Sequence, residues 1–254
     1  MELDCTSPET AVITLAQIFN TTETELLSFL DVISPCDGAA PSENLIYEQV
    51  CEQFGSPGFP LNVTWFHGTR VEDHKLFLQH GILPKSGARE FIEPRLKELA
   101  KGLVSEGDNP FSLSMMAKQG EHDEGPFASL IRDVVIHSPG AHHNYLQSPE
   151  IVEDIAGALL GKNYDALLKR FKDITKPYLV AFRAESQGDE ISCALWYLKL
   201  ISDGHSTIEA ATGANTCYDG NGITIFPEQI RSIEQIPDLS YQDVEGEIGG
   251  CRLY

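Results

Sequence analysis

The run Leu61-Asn62-Val63-Thr64-Trp65-Phe66 leads into His67-Gly68-Thr69-Arg70, and the reading of this stretch decides the fold. A short segment rich in β-branched and aromatic residues reads as a strand. An imidazole, a glycine and a hydroxyl then meet at what reads as the turn from that strand into a helix. Glycine lets a ligand approach the backbone closely. Imidazole and hydroxyl together suit a hydroxyl-rich ligand such as a ribose. By composition alone, a His-Gly pair at a strand end is more often a plain turn.

Upstream, Ser56-Pro57-Gly58-Phe59-Pro60 is a cluster of breakers and marks the clearest boundary in the chain. Residues 1–55 read as an acidic region of three short helices. Ser7-Pro8-Glu9 gives a cap, a proline at the first helical position and an acid. Thr22-x-x-Glu25 is a capping box. Ser42 caps a third helix carrying Ile46, Val50 and Phe54, with Gly55 as its stop. Such short helices have little to bury alone, so they are expected to pack on the remainder of the chain.

Downstream, the texture turns to mixed helix and strand over 61–240, with an acidic tail over 241–254. A helix over 72–80 stops at Gly81. Residues 94–104 read as an amphipathic helix and 110–115 as a strand. Gly125-Pro126 opens a helix with Phe127, Leu130, Val134 and Val135. Ser148-Pro149-Glu150 starts another that ends at Gly161, and 164–171 forms a further one. Residues 178–182 and 222–226 read as strands. Residues 194–200 fit strand or helix, because periodicity does not separate the two there.

Two segments resemble the ADP-ribosyltransferase fold, in its poly(ADP-ribose) polymerase and diphtheria-toxin branch. The first is Trp65-Phe66-His67-Gly68-Thr69-Arg70 with His80-Gly81-Ile82-Leu83-Pro84; the second is Gly222-Ile223-Thr224-Ile225-Phe226-Pro227-Glu228-Gln229-Ile230. Together they cover about 30 of the 254 residues. The resemblance implies an α+β fold with split antiparallel sheets and flanking helices, here joined to the small N-terminal helical region. It implies NAD as substrate, bound in a cleft between the sheets. His67, Gly68, Thr69 and Arg70 then lie at the NAD. The imidazole holds the adenosine-side ribose, the Gly68 backbone holds the nicotinamide carboxamide, and Thr69 supports the turn.

The implied chemistry is loss of nicotinamide through an oxocarbenium-like transition state, faced by a carboxylate. In the family that glutamate stands just ahead of the last strand. Here the place holds Asn221-Gly222; Asp219 stands two or three residues early, Glu209 lies on the preceding segment, and Glu228 follows the strand and reads as structural, which leaves Asp219 and Glu209. Those two are the candidate catalytic residues. A tyrosine stacked on the nicotinamide is also implied, with Tyr145, Tyr178 and Tyr218 available.

Two further clusters carry polar chemistry. Glu121-His122-Asp123-Glu124-Gly125-Pro126-Phe127 is dense in donors and acceptors ahead of the expected helix. It reads as an anion site, a cleft rim or a simple helix cap. His137, His142 and His143 surround Ser138-Pro139-Gly140 without the spacing of metal ligands, so no metal is expected. No phosphate-binding loop, nucleophile elbow or dinucleotide-fold glycine pattern occurs.

The charge is uneven. Lys and Arg number 18 against 38 Asp and Glu, a net of −20, and no cation precedes Arg70. That balance disfavours broad nucleic-acid backbone binding and an anionic membrane surface. No apolar run reaches the roughly 20 residues needed to span a bilayer. The N-terminus lacks the basic and apolar regions of a signal peptide. A cytoplasmic protein is expected, or an exported toxin or effector without a conventional signal. Six cysteines without close pairs read as reduced thiols, with a disulfide framework as the rival.

These observations admit three function classes. One is an NAD-dependent ADP-ribosyltransferase-like enzyme with an unknown acceptor. Another is a catalytically inactive nucleotide- or ADP-ribose-binding module of the same fold. The third is an acidic interaction protein, docking a basic partner through the N-terminal region or mimicking nucleic acid.

Overall fold

The computed structural model describes residues 1–33, 42–111, 124–137 and 144–238. Cys36, Cys251, the acidic tail, His142, His143, residues 121–123 and most of the strand expected over 110–115 lie outside these.

Three helices open the chain: α1 (Pro8–Ile18), α2 (Glu23–Val32) and α3 (Glu43–Phe54). Each begins where a side chain can take a free N-terminal amide. Ser7 and Thr22 each form a reciprocal capping box, and Ser42 accepts from the Leu45 amide. A short strand, β1 (Glu2–Leu3), runs parallel to the start of β2 (Asn62–Val71).

β2 is the central element, and it is longer than its sequence suggests. His67, Gly68 and Thr69 do not form a turn. They continue the strand, because β4 (Lys176–Glu185) pairs antiparallel with all of it, from Asn62↔Glu185 to Val71↔Lys176. Gly68 sits inside a strand where a side chain has no room. A Cβ there would meet Val135 Cγ1 at 2.6 Å. The sheet order is β5-β3-β2-β4-β6, with β3 (Phe127–Ser129), β5 (Cys217–Asp219) and β6 (Ile230–Gln235). The described strands therefore form one continuous, mainly antiparallel sheet flanked by helices, where two separate sheets were expected. β3 joins its two arms through Phe66↔Ser129.

Other elements depart from expectation as well. The segment after Gly125-Pro126 is strand first and helix second: β3 and then α6 (Arg132–His137). The strand expected over 222–226 reduces to a bridge, Ile82↔Ile225, and the next strand is β6. Gly81 allows that bridge. Its φ is +74°, and a Cβ would fall 1.9 Å from the Ile225 carbonyl oxygen. Before and after it lie α4 (Lys75–His80) and α5 (Lys85–Leu99), the latter running through Pro94.

The remaining helices are α7 (Glu150–Leu160), α8 (Tyr164–Ile174), α9 (Glu190–Ser202) and α10 (Thr207–Ala214). The ambiguous stretch over 194–200 is thus helical. α9 packs against α1, α2, α3 and α10, which explains its apolar residues on every side.

The core has an uneven layout. The N-terminal helices, α9, α10 and one sheet face share one large cluster, with Trp65, Phe182 and Tyr197 at its centre. The N-terminal helices thus pack on the sheet, as expected. A smaller cluster joins α5, α7 and α8 through Leu96, Val152, Ile155, Ala156, Leu160, Leu167 and Phe171. Among the described residues Cys5, Cys51, Cys193 and Cys217 are free thiols. Burial pushes the Cys193 thiol up to about 12. No helix among the described residues is long and apolar enough to cross a membrane.

Candidate functional site

Past Phe66 the outer edge of β2 loses its strand neighbour, since β3 meets it only at Ser129. A cavity of about 220 Å³ opens at this point. His67, Gly68, Thr69 and Val71 form its floor. Leu76, Phe77 and His80 come from α4, and Ala88, Phe91 and Ile92 from α5. Glu124, Gly125, Pro126 and Phe127 close one side. Tyr145 and the α7 residues Glu150, Ile151 and Asp154 complete it. The lining is largely apolar, with three carboxylates and Lys85 among its charged groups.

His67 is fixed by one bond. Its Nδ1 lies 2.7 Å from the Phe127 carbonyl oxygen. A carbonyl can only accept, so Nδ1 carries the proton. Burial pushes the imidazole below its ordinary value, and the Phe127 bond opposes that only in part. The ring is therefore neutral at pH 7, and Nε2 is left as an acceptor. A hydroxyl donor is its natural partner.

Strand geometry divides the four motif residues. Successive side chains point to opposite faces. His67 and Thr69 share the face that opens into the cavity. Arg70 does not line it, contrary to the expectation that it contacts NAD. Its guanidinium is buried on the far face, donating to the Leu146 carbonyl, to Asp238 Oδ1 at 2.6 Å and to Thr175. It also reaches the Lys172 carbonyl, so it gathers the last carbonyls of α8. The Arg70 guanidinium in turn holds the Asp238 carboxyl below the usual carboxylate range.

Neither candidate acid lines the cavity. Glu209 is the third residue of α10, and its carboxylate takes the Ser206 amide and hydroxyl. Those bonds push its pKa down and assign it to capping. Asp219 is nearer, opposite Phe127 across the β3–β5 pair. Its Oδ1 accepts from the Asn221 amide at 2.8 Å, closing a turn. Of the three tyrosines, Tyr145 lines the cavity. Tyr178 is buried against His74, and Tyr218 is buried between Trp65 and Phe182.

Several lining residues carried no sequence signal. Phe91 and Ile92 precede the helix read over 94–104, which in the structure starts earlier, at Lys85, and Glu150 and Asp154 lie on a helix recognised only by its cap and its stop. Glu124 was legible as part of a polar cluster read as an anion site, a cleft rim or a cap, and it does stand at the rim of the cavity. It does cap, but the helix is α5, earlier in the chain: Glu124 Oε2 accepts from the Ser86 amide at 3.0 Å. Among the described residues no group of three or more His, Cys, Asp or Glu is arranged to hold a metal ion.

Comparison with protein-family models gave no match, and comparison with curated proteins and with solved structures gave no significant match.

Proposed function

We propose that this cavity binds NAD and that the protein is an ADP-ribosyltransferase-like enzyme, cleaving the nicotinamide–ribose bond and passing ADP-ribose to an acceptor. The observation that carries the reading is His67: a neutral imidazole, held by the Phe127 carbonyl, with its acceptor nitrogen left for a sugar hydroxyl on the open edge of a strand. The resemblance of the His67-Gly68-Thr69 and Pro227-Glu228-Gln229-Ile230 segments to that family supports the same ligand.

The lining supports it on separate grounds. An apolar slot with Tyr145, Phe91 and Phe127 suits a flat ring. Glu124, Glu150 and Asp154 outnumber Lys85, which favours a ring bearing positive charge. Oxidised nicotinamide is such a ring. The volume, about 220 Å³, is less than the ~300–1,000 Å³ of sites that enclose a whole drug-sized ligand. The nicotinamide–ribose end occupies it, and the rest of the dinucleotide lies along its mouth.

One observation favours a second reading, binding without turnover. Glu209 and Asp219 both have other work, and Asn221-Gly222 supplies no acid.

The test is NAD affinity and nicotinamide release by the purified chain beside His67→Ala, with folding checked by circular dichroism. The expected result is saturable NAD binding that weakens at least tenfold in a folded His67→Ala protein, the loss of about one charge-neutral hydrogen bond. Equal binding by both proteins, or none by the wild type, overturns the assignment.

A further inference from the structure

Ahead of Ile223, where the resemblance implies a carboxylate, stands Asn221-Gly222, and a different segment of the chain lies beside it. Gly222 has φ +79° and donates its amide to the Gly125 carbonyl at 2.7 Å. A side chain at 222 would begin 3.6 Å from the Glu124 Cβ. Glu124 thus flanks the position ahead of Ile223 at which the resemblance implies an acid.

Its placement is firm. The Glu124 carbonyl accepts from the Lys85 amide at 2.8 Å, and its Oε2 from the Ser86 amide at 3.0 Å. Both bonds tie it to the first turn of α5. No described residue bonds Oε1. Gly125 and Pro126 are buried, and the next residue, Phe127, supplies the carbonyl that orients His67. One short run of backbone therefore fixes both the imidazole and the carboxylate at the wall of the same cavity. Glu150 and Asp154 also line it, but they stand on α7, apart from that run.

We propose that Glu124 is the catalytic carboxylate of this cavity, an inference that rests on the NAD reading above. The C1′–N bond of NAD breaks, and its electron pair leaves with nicotinamide, which becomes neutral. The positive charge passes to the ribose carbon and ring oxygen. Glu124 accepts a hydrogen bond from a ribose hydroxyl and faces that charge, so its interaction is stronger in the transition state than in the ground state. Water then forms the C1′–O bond, and its proton passes to Glu124 and on to solvent. The products are nicotinamide, ADP-ribose and a proton; another hydroxyl-bearing acceptor takes the place of water by the same step.

The experiment uses the full chain as wild type, E124Q, E124D, D219N and E209Q, with NAD affinity and nicotinamide release measured separately. E124Q keeps size and hydrogen-bonding capacity and removes the charge. It is expected to bind NAD within about threefold of the wild type and to lose on the order of 10²–10³ in release rate. D219N and E209Q are expected to release nicotinamide at the wild-type rate. Should E124Q not fold, E124D decides, because it keeps the charge and withdraws it by one methylene. Release at the wild-type rate in a folded E124Q or E124D overturns the proposal. So does a wild type that binds NAD and releases nothing, which leaves the NAD reading standing. A wild type that does not bind NAD overturns that reading and this proposal with it.

Discussion

Two cores of different size meet at the cavity. The larger joins α1, α2, α3, α9 and α10 to the sheet, and supplies the floor through β2 and α4. The smaller joins α5, α7 and α8, and supplies Phe91, Ile92, Ile151 and the acids of α7. Burial scales with size, so the larger core carries the global stability and the smaller one can open first. The cavity-lining residues divide accordingly. His67 stands on β2, in the larger part, while Glu150, Ile151 and Asp154 face the same cavity from α7, in the part held by fewer side chains.

The largest expected effect tests that contrast directly. Phe182 and Phe171 are both buried, one in each core. Phe182→Ala is expected to cost about 3–5 kcal/mol in denaturant unfolding and to lower protection across the whole sheet. Phe171→Ala is expected near the lower end, about 3 kcal/mol, because half-buried neighbours such as Leu99 and Leu168 can settle into the gap. Hydrogen exchange should then accelerate in α5, α7 and α8 while β2 and β4 stay protected. Uniform acceleration in both variants would show one cooperative core and end the contrast.

Arg70 sharpens it, since it binds the two parts together from the far face of β2. Arg70→Met is expected to cost about 2–3 kcal/mol, because the carbonyls of Leu146 and Thr175 lose a buried donor. Asp238 is half-exposed and can hydrate, which limits the loss. The measurement is the urea midpoint together with proteolysis at the end of α8. A variant as stable as the wild type would mean that Arg70 does not hold the parts together.

The smallest effect is in pH. His67 has a folded pKa below its unfolded value of roughly 6.5, so its neutral form stabilises the fold fully above that pH. This contribution is lost as pH falls through the folded pKa. Asp238, also depressed, contributes above roughly pH 4 and is lost only as pH falls further. Unfolding measured from pH 7 to 3 should therefore show two separate declines. His67→Ala should remove the upper one, and its persistence would assign that decline to another group.

The legible parts were those set by neighbours in sequence. The capped helices α1, α2 and α3 declared themselves through Ser7, Thr22 and Ser42, and α7 through its opening proline and acid and the stop at Gly161. β3 was hidden because Phe127, Leu130 and Val134 keep helical spacing across a strand and the helix after it. β6 was hidden because a register shift at Ala181/Phe182 accompanies its pairing, and Ile230 and Ile233 do not alternate as strand residues do. At the cavity, His67, Gly68 and Thr69 were legible as an imidazole, a glycine and a hydroxyl standing together, and Glu124 as part of a polar cluster that could cap a helix or rim a cleft.

The sequence by itself determined where helices start, which segments are apolar enough to be buried, and that an imidazole, a glycine and a hydroxyl stand together. These depend on caps, composition and spacing over a few residues. The tertiary structure decided the rest. It drew His67-Gly68-Thr69 into a strand by pairing it with β4, turned Arg70 to the far face, and gave Glu209 and Asp219 to local turns. It also brought Glu124 beside Gly222, close to a hundred residues away. The reason is that strand pairing and cavity walls join residues remote in the chain, and the free energy of those contacts has no local signature.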